Sequence, residues 1–224
     1  MKKNIQIAID GPAGAGKSTI AKLVAEALGF TYIDTGAMYR AVTYKALQQS
    51  IHLDDEEKLA DMLATSTIEL KPSPQGQLVF LDGQNVSAQI RSNEVTSSVS
   101  QVAAHAKVRA LLVAQQQKLA ANGGVVMDGR DIATHVLKDA ELKIFMSATV
   151  EERARRRLID NQKRGIDSSL DKLQEEIALR DKKDSERAAS PLIQAEDAIF
   201  LDTTALSIDE AAQAILKLAK ERML

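Results

Sequence analysis

The hydrophobic positions of the chain alternate between two periods. Ile5 to Ile9 is a short β-branched run ending in Asp10-Gly11, and Lys17 to Leu28 then carries apolar residues at helical spacing until Gly29 stops it. Tyr32-Ile33 reads as a second strand, and Ala37 to Gln49 as a helix with Met38, Ala41, Val42 and Ala46 on one face. Asp54 with Glu57 forms a loose capping pair that opens a helix through about Thr65. Ile68 to Leu70 and Leu78 to Leu81 flank Pro72, Pro74 and Gly76, the signature of a hairpin, and this antiparallel piece interrupts the alternation.

Helical patterning resumes from Asn93 to Ala121 in two segments, and Gly123-Gly124 leads into a buried strand, Val125 to Met127, closed by Asp128. Leu142 to Met146 is another strand. Thr149 with Glu152 caps a basic helix running toward Arg164, Gly165 breaks it, and Leu170 to Asp184 forms the next helix. Ala198 to Leu201 is the last strand, and Ser207 with Glu210 caps a final amphipathic helix to about Arg222. Strands alternating with helices predict an α/β fold whose parallel sheet is covered by helices on both faces through right-handed crossovers.

Composition narrows the function. A chain of 224 residues with 45% hydrophobic content builds one large core with small insertions. A net charge of −2 gives no global attraction to polyanions, and few aromatics leave no stacking platform for single strands, so no nucleic-acid partner is expected. The absence of cysteine excludes disulfides and thiolate metal sites and suits a reducing, cytoplasmic compartment. Lys2 and Lys3 precede an apolar stretch broken by Asn4, Gln6 and Asp10, which builds neither a signal peptide nor a membrane span. His52, His105 and His135 are scattered, with no metal-ligand spacing.

Between the first strand and helix, Gly11-Pro12-Ala13-Gly14-Ala15-Gly16-Lys17-Ser18 fits the phosphate-loop pattern G-x-x-x-x-G-K-[ST] without mismatch and is followed by Thr19. Its glycines let successive N–H groups converge at a helix start whose dipole favours anions. Lys17 supplies a point charge for the β- and γ-phosphates of ATP, and Ser18 a hydroxyl ligand for Mg²⁺. The loop fixes a P-loop NTPase-type sheet and a nucleotide donor; it leaves the acceptor open.

The arginines address the acceptor. Holding a second phosphate beside a tetra-anionic donor calls for bidentate guanidinium contacts, and Arg40, Arg109, Arg130, Arg180 and Arg187 are candidates. Arg180 and Arg187 are two turns apart if their helix persists, with Asp184 four residues from Arg180; the same spacing also fits an ion pair on a solvated helix. Val125 to Asp128 resembles the apolar strand whose terminal Asp holds magnesium or its water, and an ordinary strand-end turn reads similarly. Arg153, Arg155, Arg156 and Arg157 form a dense cationic turn in which one or two arginines could close over a transferring phosphoryl group. Arg153 and Arg157 share a helix face, and the spacing does not choose among the four.

Taken in order, the phosphate loop with Asp10 before it, Asp34-Thr35-Gly36-Ala37-Met38-Tyr39-Arg40, Ser100-Gln101-Val102-Ala103, Asp128-Gly129-Arg130-Asp131, Arg180-Asp181 and Arg187-Ala188 resemble bacterial cytidylate kinase from the N-terminus to about residue 192. The resemblance implies a core domain at about 1–64, 96–150 and 186–224, an inserted monophosphate-binding subdomain at about 65–95, and a small helical lid at about 151–185. It implies ATP-dependent phosphorylation of CMP and dCMP, with Mg²⁺; beside it, a cytoplasmic monomer is expected. By motif position, Thr35, Arg40, Arg130 and Arg187 would hold the CMP phosphate region, Ser100, Arg109 and Asp131 the cytosine edge, and Arg180 with Asp184 the ribose. Lys17, Arg130, Arg187 and Arg157 would serve catalysis, and Asp128 would reach the metal through water. Relatives often have serine at Thr35, which keeps the hydroxyl. Two other classes stand beside this reading: a P-loop switch, for which no Asn-Lys-x-Asp or Leu-Ser-Gly-Gly-Gln run occurs, and a kinase for another small acceptor.

Overall fold

Strand β1 (Gln6–Asp10) runs parallel to β6 (Val125–Gly129) on one side and to β7 (Leu142–Ser147) on the other. Its Ile7, Ala8 and Ile9 are fully buried, as are Met127 and Ile144 on the flanking strands, and each such large side chain is worth about 1.5–3 kcal/mol of burial. This centre belongs to a five-stranded sheet of order β2-β6-β1-β7-β8, with β2 at Thr31–Asp34 and β8 (Ile199–Asp202) parallel to β7. The computed structural model describes residues 4–73, 76–163 and 165–224; Lys2, Lys3, Pro74 and Arg164, noted above, lie outside the described residues.

By its contacts the chain divides into two compact units, one of Met1–Thr31 with Gly123–Leu224 and one of Tyr32–Asn122. In the first, α1 (Lys17–Leu28) packs on α8 (Ile208–Arg222) and on β6. Gly29 ends α1 in a left-handed conformation, letting Phe30 N–H reach the Ala25 carbonyl at 2.8 Å. Ser207 and Glu210 cap α8 reciprocally, as the sequence predicts. Helices α6 (Val150–Lys163) and α7 (Leu170–Glu186) pair over a small apolar cluster of Ala154, Leu173 and Ile177. A π-helical turn at Ile132–Val136, which the sequence reading lacks, follows β6.

In the second unit a three-stranded antiparallel sheet, β3 (Ile68–Lys71), β4 (Leu78–Leu81) and β5 (Gln84–Asn85), forms at the expected hairpin. The compact unit around it is wider than 65–95, because the hairpin has no core of its own. Val79 and Leu81 bury against Ala37 and Ala41 of α2 (Thr35–Gln48), while Ile68 and Leu70 also pack on a larger core. That core joins α2, α3 (Glu56–Ala64), α4 (Asn93–Val102) and α5 (Ala106–Ala120) through Met38, Leu59, Val99 and Leu112.

Two local readings change. α3 begins at Glu56, so Asp55 caps it by accepting Lys58 N–H at 3.1 Å, while Asp54 takes Gln101 Nε2 at 2.5 Å. α7 ends at Glu186, and Arg187 is extended at φ −63°, ψ 140°, so Arg187 leaves the helical face of Arg180.

Gly11 has φ +147°, and a Cβ there would sit 1.9 Å from the Met146 carbonyl oxygen. Gly29, at φ +70°, has open space where a Cβ would go. Gly11→Ala is therefore expected to lower the unfolding free energy by at least about 3 kcal/mol, against about 1 kcal/mol for Gly29→Ala, as read from urea unfolding of both variants. Equal losses would mean that the β1–β7 approach gives way freely at Gly11.

Candidate active site

The site in the first unit grows from the carboxyl ends of β1 and β6, which lie in register with Ile9 opposite Asp128 and Asp10 opposite Gly129. β1 ends in Asp10 and β6 carries Asp128 one residue before its end, and each aspartate reaches over to the segment that follows the other strand. Asp10 accepts the main-chain N–H groups of Ile132 and Ala133, both at 2.8 Å, and so caps the turn that follows β6. Asp128, 4% exposed, accepts Ser18 Oγ at 2.9 Å and so touches the helix that follows β1. A serine hydroxyl and a carboxylate this close offer two hard oxygen donors, a pair that fits Mg²⁺ when phosphate oxygens and water complete its octahedron.

The loop Gly11 to Gly16 has positive φ at Gly11, Gly14 and Gly16, and delivers Lys17 and Ser18 into the first turn of α1. Lys17 is 4% exposed, and its ammonium donates to the Pro12 carbonyl at 2.7 Å, folding the side chain back over the loop. Burial, together with the nearby Arg130, pushes its pKa from 10.5 down to about 7, against the pull of Asp128 and Asp10. Burial likewise lifts the Asp10 carboxyl from 3.8 to about 7, although its two N–H donors and Lys17 favour the anion.

Beside Lys17 stand the arginines of Asp128-Gly129-Arg130-Asp131 and of α7. Arg130 Nε donates to Asp184 Oδ2 at 2.8 Å. Burial works against the Arg130 charge, but Asp184, with Asp128 and Asp181 behind it, holds the guanidinium pKa above its ordinary value. Burial would raise Asp184, yet Arg130, Arg180 and Arg187 together hold its carboxyl below the usual carboxylate range. At 4% exposure Asp184 is no member of a solvated helix face, which corrects the surface ion-pair reading of the Arg180 spacing. Arg187 Nε donates to the Ser190 carbonyl at 2.7 Å, and its terminal nitrogen lies 3.7 Å from Asp131 Oδ1. The first unit therefore gathers Lys17, Ser18, Asp128, Arg130, Asp131, Arg180, Asp184 and Arg187 around one phosphate loop.

The cationic turn on α6 separates into four different environments. Arg153 is buried and donates to Ala148 O at 2.8 Å, Ala13 O at 3.0 Å and Asp181 Oδ2 at 2.6 Å, strapping α6 and α7 to the phosphate loop. Arg156 donates to Glu152 at 3.0 Å and to the Thr203 carbonyl at 2.6 Å. Arg155 makes exposed ion pairs with Glu151 and Glu152. Arg157 is half-buried and has no hydrogen-bond or ion-pair partner among the described residues.

The second unit holds the remaining sequence-derived residues. Asp34 caps α2 by accepting Ala37 N–H at 2.8 Å, which buries Thr35 in the first turn, and its other oxygen binds Arg40 at 3.0 Å. Arg109 is 3% exposed, donates to Ala103 O at 3.0 Å and lies 5.2 Å over the Tyr39 ring. Ser100 is half-buried on α4. No local sequence pattern assigns a role to Asp10 or Asp181, and Asp34 stands outside the candidate site residues. The Asp34 cap was recoverable from Asp-Thr-Gly-Ala at a helix start; the partners of Asp10 and Asp181 are too distant in sequence to leave a local signal. Among the described residues no cluster of three His, Cys, Asp or Glu could hold a metal by itself, and no helix is long and apolar enough to cross a membrane.

The raised pKa of Asp10 gives a signed pH effect. Its contribution to stability is fully present below 3.8 and is lost as pH rises through about 7. For Lys17, whose pKa is lowered, the contribution is present above 10.5 and lost as pH falls through about 7, so the interval below 7 isolates Asp10. Asp10→Asn cannot ionise, and the stability gap between it and the native chain should narrow as pH rises from 3.8 to about 7 in urea titrations. A gap independent of pH would mean that Asp10 is ionised throughout.

Comparison with known proteins identifies the family. The model of the cytidylate kinase family matches residues 7–221. A cytidylate kinase of Lysinibacillus sphaericus (strain C3-41) is 92% identical over 224 residues, covering 100% of both chains, and one of Geobacillus sp. (strain WCH70) is 59% identical over 223 residues, again covering 100% of both. Among solved structures, an uncharacterized protein from Eubacterium ventriosum aligns with a TM-score of 0.53 at 15% identity over 98% of this chain and 99% of that one. Shikimate kinase from Bacteroides thetaiotaomicron aligns at 0.50 and 15% identity over 96% and 97%, a likeness of fold alone. With its whole length matched by such relatives, the chain belongs to the cytidylate kinase family.

Proposed function

We propose that this chain moves the γ-phosphoryl group of ATP to CMP, giving ADP and CDP, with Mg²⁺ bound beside Ser18 and Asp128 and with dCMP as a second acceptor. The observation that carries the reading is the placement of Arg130, Arg180 and Arg187 around Asp184, beside the phosphate-loop Lys17. Such a cluster suits a second phosphate held next to the first, and a hydrolytic switch has no use for it.

In this reading Gly11 to Thr19 cradle the ATP phosphates, and an arriving polyanion draws Lys17 from the Pro12 carbonyl and favours its charged form. An oxygen of the CMP phosphate attacks the γ-phosphorus in line, the bond to the β-phosphate oxygen breaks, and ADP leaves; the acceptor is already an anion, so no general base is required. Ser18 and Asp128 would hold Mg²⁺, which would supply neutralisation of the phosphate charge. Thr35, Arg40, Arg130 and Arg187 take the CMP phosphate region, and Arg180 with Asp184 the ribose. Ser100, Arg109 and Asp131 read the base: the exocyclic amine of cytosine donates to a carboxylate, where uracil would oppose Asp131 with an acceptor. Of the α6 arginines, Arg157 is the one with no hydrogen-bond or ion-pair partner among the described residues, and we assign it to the transferring group. The lack of cysteine fits a cytoplasmic enzyme, here read as a monomer.

Two measurements test this. ADP formation from ATP and Mg²⁺ with CMP, dCMP, UMP, AMP, GMP or no acceptor should be fastest with CMP or dCMP and nearly absent without acceptor; a different best acceptor overturns the base reading, and equal rates without acceptor overturn the transfer reading. Arg157→Ala should lower kcat by about 10²–10³ with little change in the KM for CMP, while Arg155→Ala, which loses only exposed ion pairs, stays within about twofold. Unchanged turnover in Arg157→Ala would move the role elsewhere.

A further inference from the structure

The segment after α7 holds a backbone feature that phosphoryl transfer does not by itself explain. Among the described residues three non-glycines have positive φ: Ser50, Asp82 and Ser190 at φ 50°. Ser50 follows the end of α2 and Asp82 turns between β4 and β5, both ordinary places for a left-handed residue. Ser190 ends no helix and turns no hairpin. It also precedes Pro191, whose ring narrows the conformations open to the residue before it. Holding such a residue left-handed costs about 1 kcal/mol or more, so the surroundings must enforce it.

What enforces it lies on both sides. The Ser190 carbonyl accepts Arg187 Nε at 2.7 Å, and two residues on, Leu192 N–H donates to the Asp184 carbonyl at 2.8 Å while the Leu192 side chain is buried. The Ser190 hydroxyl makes no hydrogen bond among the described residues, so the side chain is not the functional part. The loop returns to α7 and presents a main-chain acceptor to the one guanidinium nitrogen that belongs to the arginine stem. The far end of the same guanidinium stands 3.7 Å from Asp131, and the Arg187 side chain is 5% exposed.

We propose that Ser190 is a positioning residue for the acceptor phosphate: its left-handed backbone turns its carbonyl onto Arg187 Nε, fixing the plane in which the guanidinium meets CMP. The inference rests on the reading of Arg187 as a phosphate ligand. A free arginine side chain carries about 2 kcal/mol of rotamer entropy, and ordering it before the substrate arrives removes part of that cost from binding. Any residue that adopts positive φ would serve at 190; a β-branched residue would not.

The test is steady-state ADP formation, varying CMP at saturating ATP and ATP at saturating CMP, with melting curves for each variant. Ser190→Gly should stay within about twofold of the native chain in every constant. Ser190→Val should raise the KM for CMP about tenfold and leave the KM for ATP within about twofold, with Ser190→Thr, which keeps the hydroxyl, as the milder version should the valine variant fail to fold. Combined with Arg187→Lys, which cannot offer Nε–H in a fork, Ser190→Val should add nothing further. An unchanged KM for CMP in Ser190→Val and Ser190→Thr, an equal loss for ATP and CMP, or full additivity with Arg187→Lys overturns the proposal. If Arg187→Lys itself leaves the KM for CMP unaltered, the phosphate reading of Arg187 fails instead.

Discussion

Adjacent parallel strands end here in reciprocal ties: the carboxylate of Asp10 binds the turn that follows β6, while that of Asp128 binds the helix that follows β1. Parallel strands place their carboxyl ends together, and loops leaving those ends would diverge without a fastening. Asp10 provides it by satisfying two N–H groups at the start of a buried turn, which would otherwise lack partners. The cost is a carboxylate removed from water, seen in its raised pKa. Through that tie the phosphate loop and the Arg130-Asp131 segment keep a fixed relation, and the placement of Lys17 beside Arg130 follows from it.

The arginines depend on the same principle of mutual restraint. Unpaired buried guanidinium groups would repel one another and pull toward solvent, whereas each one described here is held by a carboxylate or a carbonyl: Arg130 by Asp184, Arg153 by Asp181 and Ala13, Arg187 by Ser190 and Asp131. Asp184 is the hub, because Arg130, Arg180 and Arg187 all act on its carboxyl. Arg153 extends the network to the loop backbone, so α6 and α7 are attached to the phosphate loop by side-chain bonds as well as by chain connectivity.

Much of this was legible in the sequence where the signal is local. The end of α1 at Gly29, the capping box of α8 and the hairpin about Gly76 each follow from residues within a few positions of one another. The phosphate loop and the strand that carries Asp128 were readable for the same reason. Partners far apart were not: Asp10 meets Ile132, Arg130 meets Asp184, and neither pairing leaves a trace in periodicity. Spacing also misleads when a helix stops early. Arg180 and Arg187 appear two turns apart, yet α7 ends at Glu186 and Arg187 is reached by an extended residue. The hairpin was visible as an element, but its lack of an independent core appears only once Val79 and Leu81 are seen against α2.

The pairing of cations with aspartates has a consequence for how substrates arrive. Arg130, Arg153, Arg180 and Arg187 share their surroundings with Asp128, Asp131, Asp181 and Asp184. Charges that cancel over a few ångströms project little field beyond a screening length of about 8 Å at physiological ionic strength. On the proposed reading of these residues, a nucleotide is recognised chiefly on contact, by donors already aimed. Encounter should proceed at an unsteered rate that salt barely alters, and discrimination among anions falls to the short-range geometry of the guanidinium forks.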